Sequence, residues 1–272
     1  MKRLWLSLSA AVLLFLAVAA AFAQQPAPSP RFCAAQLPFG MPAPAADVLC
    51  RAGYALDYDP VARIPIWDAH VLTPAHALGC APRSNAFAAD VSLPADERAK
   101  PSDYLRSGYD IGHMSPDADF SWSEDLERQS FILSNMAPQL PGLNRQTWKY
   151  LEDDIRAWAW GGGTHGRTLW IITGPIYQAH RDGAYPRLGE NGPVVPDAFW
   201  KIVVDVRTGE YLVFLMPQRE GLGANVAQFL IALSAVGDRS LQIPLPKGAK
   251  QDESLWPVPA GFAAAKKAAC RQ

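Results

Sequence analysis

The spacing of apolar and polar positions changes several times along the chain, and each change predicts an element. Tyr54 to Asp59 and Ile64 to Thr73 are rich in aromatic and β-branched residues and read as two short strands. Cys80 to Lys100 is polar and punctuated by proline, which predicts a loop. Tyr109 to Phe120 holds a glycine, a proline and three aspartates, so it reads as an ordered loop leaving a short strand. Ser130 to Asn135 suits a short buried strand, broken afterwards by Pro138 and Pro141-Gly142. The period then becomes helical from Asn144 to Trp160. Trp148, Leu151, Ile155 and Trp158 recur at steps of three and four and form one apolar stripe. Asn144 reads as its N-cap, and Gly161-Gly162-Gly163 as its stop. Thr168 to Thr173 and Phe199 to Val206 are strand-like, and Thr208-Gly209 predicts a hairpin turn into Tyr211 to Met216. Asn225 to Val236 reads as a second helix. With no internal repeat, the mixture predicts an α+β fold: a mainly antiparallel sheet with helices packed on it.

The ends add a compartment. Lys2 and Arg3 precede an apolar run that closes on Ala21-Phe22-Ala23, the pattern of a signal peptide over 1–23. Leu4 to Ala23 is also just long enough to be a membrane anchor, but the small-x-small end favours cleavage. The expected mature chain starts near Gln24, is periplasmic or secreted, and has no stable membrane association. Residues 24–50 are expected to form a Pro-rich N-terminal arm and 51–272 one domain. Cys33, Cys50, Cys80 and Cys270 allow three disulfide pairings. Cys33–Cys50 with Cys80–Cys270 is favoured, because the first pair brackets the arm and the second ties down the C-terminal tail. A four-thiolate metal site lacks any C-x-x-C spacing. Losing Lys2 and Arg3 lowers the basic count from 25 to 23 against 26 acidic residues, a formal net charge of about −3. That balance argues against a protein that coats nucleic acid, but not against an enzyme meeting phosphates in a local groove.

The chemistry concentrates in three ordered stretches: Asp110-Ile111-Gly112-His113, Ser134-Asn135-Met136-Ala137-Pro138-Gln139, and Leu143-Asn144 followed by Trp148 and Leu151-Glu152. All three lie within 43 residues, Asp110 to Glu152. On these motifs the chain resembles the DNA/RNA non-specific endonuclease family, the ββα-metal (His-Me finger) nucleases of the Serratia nuclease and endonuclease G type. The resemblance extends over roughly Leu56 to Pro246, through Ile66-Trp67, Cys80-Ala81-Pro82-Arg83, Thr173-Gly174-Pro175 and Pro196 to Lys201. One motif alone is weak evidence; the ordered set is specific.

The residue types suit the reaction this resemblance implies, hydrolysis of DNA and RNA phosphodiesters to 5′-phosphate and 3′-hydroxyl ends. A lone histidine is usually an ordinary surface or core residue, and His70, His76, His165 and His180 keep that reading. His113, in its motif, is the expected general base, since imidazole titrates near neutral pH. Asn144 offers a neutral oxygen to a hard cation such as Mg2+, with Mn2+ the alternative, although asparagine also serves as a plain N-cap. In a regular α-helix Glu152 lies about 80° round from Asn144 and about 12 Å along the axis, near enough for the ion's hydration shell. A Glu152–Arg156 helix pair is the ordinary reading; the resemblance places both in the cleft. It likewise implies a catalytic role for Asn135 and a phosphate clamp for Arg83. Arg145, Arg156 and Asp110 are expected to face substrate, and Arg145 with Lys149 gives the helix a basic edge for a phosphate backbone.

One position departs from the family. Ile111 stands where the family has arginine directly after the aspartate, which is tolerated if Arg83, Arg106 or Arg145 supplies the charge and otherwise reduces activity or alters substrate preference. The rival reading is a catalytically weakened relative that binds nucleic acid or a partner protein without turnover. A third is a phosphodiesterase for small substrates. The resemblance also raises a homodimer and an unidentified inhibitor protein as partners.

Overall fold

Alternation along the strands decides what the sheet buries. In the computed structural model, residues 33–45, 47–178, 184–236 and 241–271 are described. The expected leader 1–23, the tract Gln24 to Arg31 and His180 lie outside them. Among the described residues, β1 (Val48–Cys50), β2 (Tyr54–Asp59), β3 (Ile64–Leu72), β6 (Leu169–Ile176), β7 (Ala198–Asp205), β8 (Glu210–Pro217) and β9 (Lys250–Gln251) form one sheet in that order. Every pairing is antiparallel except β8 with β9. β4 (Asp110–His113) and β5 (Met136–Gln139) pair separately as a two-stranded ribbon.

Both faces of the large sheet are covered. Leu169, Ile171, Phe199, Val203, Leu212 and Phe214 point one way and meet the apolar stripe of helix α2 (Lys149–Trp160): Leu151, Ile155 and Trp158. Burying each of the Leu, Ile, Val and Phe side chains here contributes about 1.5–3 kcal/mol. The alternate residues Trp170, Ile172, Trp200, Ile202 and Val204 point the other way, onto Cys33, Leu37 and Ala43. Trp170 Nε1 donates to the Gln36 carbonyl at 2.9 Å, and Cys33 is bonded to Cys50. The described part of the expected arm is therefore a packed layer of the fold. Cys80 is bonded to Cys270, so both disulfides follow the favoured pairing.

Two expected elements differ. Ser130 to Asn135 is not a strand: Ser130 ends helix α1 (Glu124–Ser130), and Leu133–Asn135 is a 3-10 turn before β5. Ser130 Oγ donates to the Glu127 carbonyl, and the Asn135 amide bonds backbone on both sides, so local polar bonds outweigh the apolar run. Asn225 to Val236 is not an α-helix but two 3-10 turns, Val226–Phe229 and Leu233–Ala235. There the chain lies along the edge of β8, where Ile231 N–H donates to the Val213 carbonyl. Two helices escaped the apolar period. α1 has one apolar residue, Leu126, and α3 (Phe262–Ala269) is an Ala-Lys run whose signal is propensity alone.

Candidate active site

The β4–β5 ribbon places Asp110 opposite Gln139 and His113 opposite Met136. A two-stranded ribbon has free edges, so Pro138, which lacks an N–H, sits within β5. Positions 111 and 113 share a strand face, and both side chains line one cleft of about 310 Å³. Gly112 points oppositely. A Cβ there would come within 2.1 Å of Gln139 Oε1, a fully buried side chain, so close packing rather than a turn selects glycine.

The chain then enters its long helical run. Leu143–Trp148 is wound as a π-helix before α2 begins. Asn144 is not the N-cap: its backbone N–H donates to the Leu140 carbonyl at 2.9 Å, inside the run. Its side-chain Nδ2 donates to Asp110 Oδ2 at 2.9 Å. The amide is thereby oriented, leaving its oxygen as the atom available to a cation. A π-turn advances fewer degrees per residue than an α-turn, so Asn144 swings closer to the face of Glu152 than regular winding allows. Gly161, at φ 61°, closes α2 in the left-handed conformation.

His113, Asn144, Glu152, Arg83, Arg145, Lys149 and Arg156 all line the cleft. His113 is buried, edge-on to the Phe131 ring at 4.9 Å. Its Nε2 has no hydrogen-bond partner among the described residues. Burial pulls the imidazole down to about 4, with Asp117 acting against this and Arg83 reinforcing it, so the ring is neutral at neutral pH. Arg83 pairs with Asp117, donates to Asn85 Oδ1 at 2.9 Å and sits 4.8 Å over the Phe131 ring. Arg145 donates twice to Asp110, from Nε at 2.8 Å and from a terminal nitrogen at 2.5 Å. Burial pushes the Asp110 carboxyl up, but the bonds from Arg145 and Asn144 outweigh it and hold it low. Burial raises Glu152, with Lys201 and Arg156 opposing.

A buried polar chain backs this wall. Ser115 Oγ donates to Asp68 Oδ1, whose carboxyl burial pushes up to about 8 against that bond and the charge of Lys201. The same hydroxyl lies 2.8 Å from His70 Nδ1, and His70 Nε2 lies 2.9 Å from Asp119 Oδ2. Burial holds the His70 imidazole low, with Asp119 opposing. Asp119 accepts from Arg156 at 2.8 Å, and Arg156 also reaches Asp153 at 2.6 Å. Burial opposes the Arg156 charge, but Asp119, Glu152 and Asp153 outweigh it. Lys201, also buried, donates to Thr173 Oγ1 at 2.6 Å and to the Met114 carbonyl at 3.3 Å.

Six of the eight predicted site residues thus converge: His113, Asn144, Glu152, Arg83, Arg145 and Arg156. Asn135 and Asp110 are not among the lining residues and reach the site only through the groups they hold. Asn135 is fully buried; it accepts from Ser115 N–H at 2.8 Å and donates to the Ser115 and Ser130 carbonyls. It pins the loop after His113 and has no donor left for a reacting group. Asp110 carries the wrong charge to hold a phosphate and instead fixes Asn144 and Arg145. Arg106 lines a different depression, with Arg63 and Lys100, so Arg83 and Arg145 are the arginines placed to cover for Ile111. The sequence reading missed Asp119, Ser115 and Lys201. Their only signal was polar residues beside motifs, and no periodicity marks a buried lysine.

Known proteins give the same picture. The family model for DNA/RNA non-specific endonuclease matches residues 34–239. Mitochondrial Endonuclease G of Bos taurus and of Homo sapiens are each 31% identical over 234 residues, covering 82% of this chain and 77% of the relative. A nuclease of Syncephalastrum racemosum is 33% identical over 220 residues, covering 74% and 68%. Among solved structures, a chain from the crystal structure of the EndoG/EndoGI complex superposes with a TM-score of 0.67 at 27% identity, covering 76% of this chain and 89% of that one. With the β4–β5 ribbon and the π-helical turn before α2 bringing His113 and Asn144 to one cleft, the chain belongs to the DNA/RNA non-specific endonuclease family.

Proposed function

We propose that this nuclease is an exported, metal-dependent endonuclease that cleaves DNA and RNA without strong sequence preference, leaving 5′-phosphate ends. The observation that carries the reading is the shared cleft: a neutral, buried imidazole and an oriented amide oxygen among four cationic side chains. Among the described residues no group of three or more His, Cys, Asp or Glu could hold a metal. That donor set suits Mg2+ or Mn2+, which accept one or two protein oxygens and keep their waters, and does not suit zinc. Asn144 would hold the ion, with Glu152 reaching its hydration shell. The bound cation supplies Lewis-acid stabilisation of charge on the phosphoryl oxygens.

The protein's own groups do the rest. His113 takes the proton of the attacking water, as its depressed basicity leaves it unprotonated at neutral pH. Arg83 and Arg145 stand at the cleft to bind nonbridging oxygens as negative charge grows. Arg156, locked between Asp119 and Asp153, contributes a fixed positive charge to the wall. These groups address phosphates, which supports activity on both DNA and RNA. Export is supported by the leader pattern of the sequence and by two disulfides, which persist in oxidising compartments.

Digestion of plasmid and RNA with Mg2+, with and without EDTA, is the test. Wild-type protein is expected to degrade both, EDTA to stop it, and His113→Ala to lower the rate by about 100-fold or more while circular dichroism stays unchanged. Undiminished Mg2+-dependent cleavage by His113→Ala would remove His113 from its role. Binding without turnover by wild type would favour the non-catalytic reading that Ile111 raises.

A further inference from the structure

Beyond the cleft, a second groove of about 720 Å³ runs between α2 and α3 and shares Ala118, Lys149 and Arg156 with it. Helix α3 is held at both ends: Phe262 packs on Trp160 at 5.9 Å, and Cys270 is bonded to Cys80. It lies outside the 34–239 matched by the family model. In the groove four cations face two carboxylates. Asp153 is committed to Lys149 and Arg156, whereas Lys266 and Lys267 form no ion pair among the described residues. Lys266 is only partly exposed, and burial holds its ammonium below the usual range, so an anion beside it would be welcome. The lining also holds the apolar side chains of Val258, Pro259 and Phe262.

We propose that this groove is a second backbone subsite, in which Lys266 and Lys267 hold the phosphates of the strand flanking the scissile bond. The inference rests on the nuclease reading of the cleft. Continuity with the cleft gives the flanking strand a path, the unpaired ammoniums suit its phosphates, and the apolar lining suits the faces of unpaired bases. An acidic peptide would use the lysines but not the connection to the cleft.

The test is binding of fluorescently labelled single-stranded DNA to the full chain in EDTA, comparing wild type with Lys266→Gln/Lys267→Gln. The double variant is expected to bind a long strand about tenfold more weakly, with a salt slope shallower by about 1.4 for two lost phosphate contacts. A dinucleotide, too short to reach the groove from the cleft, should lose much less. Unchanged affinity and slope for the long strand would overturn the subsite, as would an equal loss on both ligands. The nuclease reading fails separately: a wild type whose binding depends on these lysines but which never cleaves with Mg2+ keeps the groove and loses the chemistry.

Discussion

Removing the Asp110 carboxylate tests how the amide of Asn144 is aimed. Asp110 accepts one bond from Asn144 and two from Arg145. The Arg145 side chain is 68% exposed, so solvent screens that pair and it adds little. The Asn144 bond is charge-assisted and half-buried, worth about 1.5–3 kcal/mol. At about 1.4 kcal/mol per tenfold, its loss corresponds to roughly 10–100-fold, the range for partners that orient a metal ligand. Asp110→Ala should therefore raise the half-saturating Mg2+ for plasmid cleavage by about 10–100-fold, and weaken Mn2+ binding measured calorimetrically by the same factor. The rate at saturating metal should recover to within a few-fold. Losing a bond of that size should also lower the melting temperature by about 3–12 °C. Asp110→Asn, which can still accept from Asn144, should lie between the two. If Asp110→Ala keeps wild-type metal affinity while losing affinity for DNA, the carboxylate does not act through Asn144 and the argument is wrong.

Asn135→Ala should act on stability before activity. It removes three buried hydrogen bonds and strands the Ser115 and Ser130 backbone groups, a cost of about 3 kcal/mol or more that urea denaturation would register; a cleavage defect with unchanged stability would restore it to the catalytic set. On the proposed mechanism, His113 sets the acid limb of activity. Its folded value, about 4, lies below the unfolded 6.5, so the acid limb of kcat/KM at saturating Mg2+ should fall near 4. The same shift gives a stability contribution, full above about 6.5 and lost as pH falls toward 4, of roughly 3 kcal/mol. In His113→Ala that part of the acid destabilisation should be absent from a pH series of melting curves, and an unchanged series would refute the buried neutral ring.

The order of motifs made much of the site legible before any fold was known. Asp110, His113, Asn144 and Glu152 lie close in sequence, and a ribbon followed by a helix needs only local geometry to bring them together. The strands were readable for the same reason, since period two follows from the pleat itself. The sequence also held the stripe of α2 and the two cysteine pairs, the latter as a preference among three pairings.

What it could not determine lies in contacts between distant segments. The π-turn that draws Asn144 toward Glu152 leaves no mark in a residue pattern, so the chain looked like a regular helix with an N-cap. Whether Asn135 meets a phosphate or a backbone carbonyl depends on what packs above it, and the fold placed Ser115 and Ser130 there. Arg83, Asp119, Arg156 and Lys201 span more than a hundred positions of the chain. Burial decides which of their charges are paired and which are shifted, and burial is a property of the assembled layers. Local periodicity fixes an element's inward face; only tertiary packing sets the dielectric, the partners and the aim of each polar group on it.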